Sequence, residues 1–453
     1  MENLGTRLSG HGAPRPGAAI VGAGWAGLSA AVTLAGLGVP VRVFEASRQL
    51  GGRARRLPGD AGDIDNGQHI LIGAYRDTLA MMRIVGVDVA SALERLPLQL
   101  RYADGFHLRA PRLPYPLNLL SGLLGATGLP LAQAWSALRM MRRLAGCGFR
   151  VQPDRPVAQL LAEQGQGEAA CRYLWGPLCI AALNTPPAMA SAQIFARVIR
   201  DGLTGSRAAS DLLIPRIDLG KLFPDPAAAY VAGHHGCVRT GHAVRSIGRD
   251  GRGLALGFAM SGGTERFDAV ILACGPQHAA ALLGEFPELA ATRRAIDALA
   301  YQPILTCYLQ YPAPVALPSP MLGFQGGIVQ WVFDRGQLGG PGGLLAVVVS
   351  ASGAHQGLDR DALADALEAE LRAAPIAALR TLPRRVWAQL ITEKRATFAC
   401  TPGLIRPPMR TPVPGLLLAG DYVASDYPGT LEGSVKSGAA AGNSVAREFF
   451  QKC

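Results

Sequence analysis

The sequence predicts an α/β fold in which a domain of strand–helix–strand units is interleaved with a second, α+β domain. Three observations carry that prediction. A complete strand–helix–strand unit occupies residues 18–44. Two further apolar strands, 268–273 and 416–419, lie far downstream and run into Cys274-Gly275-Pro276 and Gly420-Asp421. Between the first unit and these strands the pattern changes: residues 75–230 read as helical and are repeatedly broken by proline.

Taken in order, residues 18–21 (Ala-Ala-Ile-Val) read as a short buried strand. Beyond a glycine loop, Leu28, Ala31, Val32 and Ala35 recur at close to helical spacing, Gly36 and Gly38 end the helix, and 41–44 is the next strand. Residues 242–247, 254–258 and 304–310 read as strands, 358–373 as an amphipathic helix and 438–450 as a closing helix. The parts of the strand–helix–strand domain therefore fall in separated pieces, 18–74, 230–280 and 385–450. Residues 75–229 and 281–384 are left to a substrate-binding domain, mostly helical in its first part. A chain of 453 residues is long enough for two or three domains.

Composition narrows the function. Hydrophobic residues make up 49% and charged residues 17%, with a net charge of +11. Only four basic residues are lysines (Lys221, Lys394, Lys436, Lys452), so arginine dominates. Aromatics are sparse and do not alternate with basic residues, so nucleic acid is not an expected partner. The eight cysteines form no CxxC pair and no zinc-type cluster, so no metal site is expected and scattered buried thiols suit a reducing cytosol. Residues 1–17 are polar and lack the apolar core of a secretory signal.

Two uncharged stretches, 18–41 and 113–138, could pass for membrane spans, but glycines and prolines interrupt both. Arg139, Arg142, Arg143 and Arg150 follow the second. Such a segment suits either a protein lying on the inner, anionic face of the cytoplasmic membrane or the lining of an apolar pocket. The expected location is cytoplasmic, with peripheral membrane contact under the first reading.

The loop Gly22-Ala23-Gly24-Trp25-Ala26-Gly27 follows a strand and opens a helix, the context a dinucleotide fingerprint requires. Gly22 permits the tight turn, Gly24 lets a pyrophosphate approach the backbone, and Gly27 lets helix and strand pack closely. The helix N-terminus then presents free N–H groups to phosphate. Glu45 ends the second strand, where its carboxylate can accept from a ribose diol and would repel a 2′-phosphate.

Beyond Glu45, Gly51-Gly52-Arg53 resembles the FAD-dependent amine oxidase and phytoene desaturase superfamily, as does 416–421 with its terminal Gly420-Asp421. The resemblance implies a Rossmann-type FAD-binding domain of the amine oxidase/p-hydroxybenzoate hydroxylase type. It places Gly52 and Arg53 at the pyrophosphate and ribityl chain, Asp421 at the ribityl hydroxyls or pyrophosphate, and the Val244 backbone at adenine. Trp25, Ala26, Gly67, Gln68, His69, Gly420 and Val435 complete the implied cofactor-binding set.

Amine oxidases of this superfamily place a lysine on the strand facing the flavin and a tyrosine before a late Glu-Gly pair. Here those positions hold Thr306 and Thr430, so a cage for a cationic amine is not expected. Residues 65–75, 183–187 and 430–438 instead resemble the hydroxysqualene dehydroxylases, whose reaction would be reductive loss of an allylic hydroxyl from a long-chain isoprenoid. The resemblance runs from about residue 18 to 447. It implies an electron donor, a separate reductase or ferredoxin since no second complete GxGxxG loop is present, and a neighbouring hydroxysqualene synthase.

His69 is the first candidate proton donor, with a structural histidine as the competing reading. Glu432 and Tyr427 are further catalytic candidates; the first reading of Glu432 is that it orients the Gly433 loop, and Tyr427 either donates a proton or simply packs. A carotenoid or phytoene desaturase, an amine oxidase and a catalytically silent flavin-binding lipid carrier are the alternatives.

Overall fold

The computed structural model describes residues 17–58, 62–251, 253–259 and 263–450; most of the N-terminal segment read for a secretory signal lies outside them. Ala18–Val21 (β1) has no residue more than 5% exposed, which explains its unbroken apolar sequence. It lies at the centre of a five-stranded parallel sheet. Val41–Phe44 (β2) and then Cys237–Arg239 flank it on one side, Ala269–Leu272 and Leu416–Leu418 on the other. Sheet order therefore reverses beside β1, the place where open α/β sheets take their ligands. The helix Trp25–Gly36 (α1) is buried on nearly all sides, packed between Leu431–Val445 and Pro224–Gly233.

A second, antiparallel sheet has the order Met321–Gly323, Trp331–Asp334, Leu344–Ser350, Tyr301–Gln310, Trp387–Phe398. Helix Arg360–Ala373 covers it, burying Leu363, Leu367 and Leu371. A small antiparallel sheet, Val244–Asp250, Gly253–Phe258 and Thr264–Phe267, stands beside the parallel one.

Several elements depart from the sequence reading. The closing helix starts at Leu431, not 438, because the Thr430 side chain accepts from Gly433 N and caps it. Its run of Gly, Ser and Ala hides the usual apolar stripe. Trp387–Phe398, which falls in the expected third piece at 385–450, pairs with Tyr301–Gln310 of the antiparallel sheet. Within 75–229 the short strands Leu93–Leu96, Gln99–Arg101, His107–Arg109 and Leu212–Pro215 interrupt the helices. Cys179, Cys307 and Cys400 are buried, but Cys147 and Cys237 are exposed. No helix among the described residues is long and apolar enough to cross a membrane.

Candidate active site

One cavity of about 960 Å³ begins at the carboxyl end of β1 and ends among the helices of residues 117–146. Gly22, Gly24, Trp25 and Ala26 form its first wall. Gly22 has φ +105°, the left-handed region that an L side chain resists. The second glycine pair docks on this loop: Gly51 N donates to Ala23 O at 2.9 Å, and Trp25 Nε1 donates to Ala54 O at 3.0 Å. Glu45 lines the cavity, its carboxylate accepting from Ala23 N at 2.7 Å and Ser47 N at 2.9 Å. Val244 lines the same end.

Gly52, Arg53, Gly420 and Asp421 form the next section. The Arg53 guanidinium is ion-paired to Asp421 and donates to Ala396 O at 3.0 Å, so three distant pieces of chain meet there. Burial alone would pull the guanidinium pKa down, but the charge and hydrogen bond of Asp421 hold it above its ordinary value. Tyr422, which the sequence did not single out, also lines this section with a buried hydroxyl that has no partner among the described residues.

Gly67, Gln68 and His69 line the middle. His69 Nδ1 lies 2.9 Å from Gly67 O. A carbonyl only accepts, so Nδ1 carries the hydrogen and Nε2 of the neutral ring is an acceptor. Burial lowers the His69 pKa and outweighs that hydrogen bond, which favours the charged ring. The neutral imidazole therefore has no free N–H to give, contrary to the sequence expectation of a proton donor. Behind the loop, buried Arg335 donates to Gln68 Oε1 and Pro215 O, both at 3.1 Å. Tyr75 and Thr430 also face the cavity, and burial raises the Tyr75 phenol well above its ordinary pKa. Thr306 is buried with its hydroxyl unpartnered among the described residues.

Four sequence candidates lie outside the lining. Gly27 is packed behind the loop. Val435 is fully buried, its carbonyl accepting from Ser29 Oγ at 2.9 Å. Glu432 is 1% exposed and caps the Arg76–Ile84 helix, accepting from Asp77 N, Thr78 N and Thr78 Oγ1 at 3.1, 2.9 and 2.7 Å. With its oxygens so engaged, Glu432 tethers two helices and does not face the cavity. Tyr427 stacks near Lys436, whose ammonium is 5.4 Å from the ring and pairs with Asp77 at 2.6 Å.

Residues 25–446 match the model of the flavin containing amine oxidoreductases. The chain belongs to this family. As a flavin-containing amine oxidoreductase it is 31% identical to a hydroxysqualene dehydroxylase of Rhodopseudomonas palustris, over 94% of this chain and 97% of that one. A hydroxysqualene dehydroxylase of Sinorhizobium fredii is 29% identical over 95% and 98% of the two chains. A carotenoid phi-ring synthase of Streptomyces griseus is 27% identical over 96% and 88%. Among solved structures, cyclohexylamine oxidase from Brevibacterium oxydans superposes with a TM-score of 0.70 at 20% identity, covering 97% and 100% of the chains. Putrescine oxidase bound to putrescine gives 0.72 at 16%, covering 96% and 100%.

This oxidoreductase is FAD-dependent, and the cavity's residues fit the cofactor. A Cβ on Gly24 would meet only Gly52 Cα at 3.9 Å and Gly51 O at 4.0 Å, so the loop's outer face is open to a phosphate group. Glu45 offers a carboxylate at the end of β2, where a ribose diol needs an acceptor.

Asp65, just before the His69 loop, is a stability handle. It is 6% exposed, accepts from Leu219 N at 2.8 Å, and burial raises its carboxyl from 3.8 to about 6. Between those values the folded chain keeps a proton that the unfolded chain releases. Stability therefore falls as pH rises from about 4 to 6, by up to roughly 3 kcal/mol. Asp65→Asn should flatten that slope and be more stable than wild type at pH 8, measured by urea unfolding across pH. A less stable variant at pH 8 would mean that attraction to Arg335 outweighs burial.

Proposed function

We propose that this flavoenzyme reductively dehydroxylates hydroxysqualene to squalene, serving hopanoid or other triterpenoid synthesis. The observation that carries the reading is the cavity itself. Past His69 it is walled by Leu98, Leu119, Leu123, Leu174, Trp331 and Phe333, the surface a long hydrocarbon needs. The late position where amine oxidases carry a cage tyrosine holds Thr430, and the 31% identical relative is a hydroxysqualene dehydroxylase.

In this reading Gly22, Gly24, Trp25 and Ala26 hold the pyrophosphate, Glu45 the ribose, Val244 the adenine, and Gly52, Arg53, Gly420 and Asp421 the ribityl side. Gly27 and Val435 hold helix to sheet and helix to helix behind it. The FAD-binding domain is discontinuous, built from 18–74, 230–280 and the chain after 398. Reduced FAD, when bound, supplies the hydride. The allylic C–O bond breaks, its oxygen leaves with a proton as water, and the hydride completes the new C–H bond. His69 Nε2 accepts from the substrate hydroxyl and fixes its orientation. The apolar wall excludes water from the allylic carbon. The proton comes from a hydroxyl-bearing or water-mediated donor; Tyr75 and Tyr422 are two cavity phenols, and burial makes both weaker acids than free tyrosine. A separate reductase or ferredoxin reduces the flavin, and a neighbouring hydroxysqualene synthase delivers substrate at an anionic membrane face.

Purified protein with FAD, dithionite and hydroxysqualene, without air, should form squalene detectable by mass spectrometry, and none with oxidised flavin. Untouched hydroxysqualene, with phytoene-like substrates gaining double bonds under oxidising conditions, would replace this reading with a desaturase.

A further inference from the structure

Residues 105–153 contain six arginines (Arg109, Arg112, Arg139, Arg142, Arg143, Arg150) and no aspartate or glutamate. All six are exposed, and among the described residues none of them makes a salt bridge. The same segment concentrates exposed apolar side chains: Leu113 at 42%, Tyr115 at 37%, Leu117 at 51%, Leu131 at 62% and Trp135 at 55%. Isolated exposed apolar residues need no explanation, but a cluster rimmed by one sign of charge does.

The helices explain how the cluster arises. On Leu131–Gly146, Leu131, Trp135, Arg139 and Arg142 succeed one another at three- and four-residue spacing and share one outer face. Ala134, Ala137, Met140 and Leu144 bury the opposite face. Leu117–Leu124 packs beside it, with Leu117 outward and Leu119, Gly122 and Leu123 inward. Those three inward residues and Met141 line the cavity. Two helices thus separate the apolar end of the cavity from an exposed apolar surface.

We propose that this helix pair docks on an anionic lipid bilayer, with Leu113, Leu117, Leu131 and Trp135 dipping below the headgroups and the arginines pairing with lipid phosphates. Charge selects this occupant: Arg139 and Arg142, on the face of Leu131 and Trp135 and without an ion pair among the described residues, suit a negatively charged sheet, and their long stems extend the apolar face while the guanidinium groups reach the headgroup layer. Neither helix can span a membrane, so the contact is interfacial. Resting on the isoprenoid reading, the docked helix pair holds the apolar end of the cavity against the bilayer, so that a lipid-dissolved substrate has only the thickness of these helices between it and the cavity.

The test is flotation of the FAD-loaded enzyme with phosphatidylcholine vesicles, with and without phosphatidylglycerol. Binding should require the anionic lipid and weaken with salt. Leu131→Gln with Trp135→Gln should abolish flotation, and Arg139→Gln or Arg142→Gln should weaken it about fivefold each. With vesicle-dispersed hydroxysqualene these variants should raise KM at unchanged kcat, whereas detergent-dispersed substrate should restore wild-type KM. All four positions are exposed, and retained flavin absorbance verifies folding. Wild-type protein that ignores anionic vesicles overturns the proposal. So does a concentration-dependent dimer that Leu131→Gln dissolves, since the patch would then be covered by a second copy. Flotation without squalene formation from either substrate form would leave docking intact and remove the dehydroxylase reading instead.

Discussion

Asp421→Ala is expected to purify without yellow colour. Asp421 is 4% exposed and neutralises Arg53, which reaches across from the second glycine motif and also holds the backbone at Ala396. Removing the carboxylate leaves the guanidinium facing the cavity with a carbonyl but no counter-charge. Breaking a buried pair costs about 3–5 kcal/mol. Arg53 is about one-third exposed, so solvent screens part of this loss and roughly 2 kcal/mol is expected. The greater effect falls on the cofactor, because Arg53, Asp421 and the Ala396 backbone set the shape of one section of its cavity. FAD affinity should drop at least about tenfold, which needs only about 1.4 kcal/mol of lost interaction. Flavin absorbance after purification, FAD titration and the unfolding midpoint check this. Asp421→Asn keeps the shape without the charge and should fall between. A variant that titrates like wild type would remove Arg53 and Asp421 from the cofactor site.

The proposed nucleotide end was readable because each of its signals is local. Gly22, Gly24 and Gly27 are needed for reasons that backbone geometry dictates within one turn. Glu45 stands where β2 ends, and the apolar runs of β1 and Ala269–Leu272 admit no reading other than a buried element. The substrate side depends on contacts that no short window contains. Glu432 looks like a cavity acid beside a glycine, yet it caps a helix more than 350 residues earlier in the chain. Arg335 meets Gln68 across 267 positions, and no motif marks it. His69 was found but its direction was not: which ring nitrogen holds the hydrogen is decided by the Gly67 carbonyl, which only the folded loop presents. Trp387–Phe398 shows no regular alternation, only Leu390, Thr397 and Phe398 being buried, and its partner strand lies far upstream. The exposed patch was half legible. The arginines and the uncharged stretch are in the sequence, whereas the choice between pocket lining and outer surface resolves into both, one on each face of the same helices.

Gly27→Ala and Gly24→Ala should fail in different ways, and the contrast separates the two roles of the loop. A Cβ on Gly27 would collide with the Gly22 carbonyl oxygen and approach Ala273 Cβ at 3.2 Å. Neither can move freely: one is the backbone of the tight turn, the other follows Ala269–Leu272 in the central sheet. Inserting a methyl into a packed site commonly costs about 1–3 kcal/mol, and opposing backbone places this one at the upper end or beyond. The helix must tilt off the sheet, which also turns its N-terminal N–H groups away from phosphate. Gly27→Ala should therefore lose stability and FAD together. Gly24, in contrast, has φ −75° and ψ 179°, conformations open to alanine, and beyond its chain neighbours a new Cβ would meet nothing nearer than Gly52 Cα at 3.9 Å. The apo-protein should keep its unfolding free energy to within roughly 1 kcal/mol. The methyl would nevertheless stand on the cradle's open face and hold the pyrophosphate off the backbone. Charge-assisted hydrogen bonds are worth about 1.5–3 kcal/mol each, so losing even one or two should weaken FAD about a hundredfold. Denaturant unfolding of both apo-proteins beside FAD titration reads the two effects separately. If Gly24→Ala binds FAD normally, the pyrophosphate does not lie on this loop.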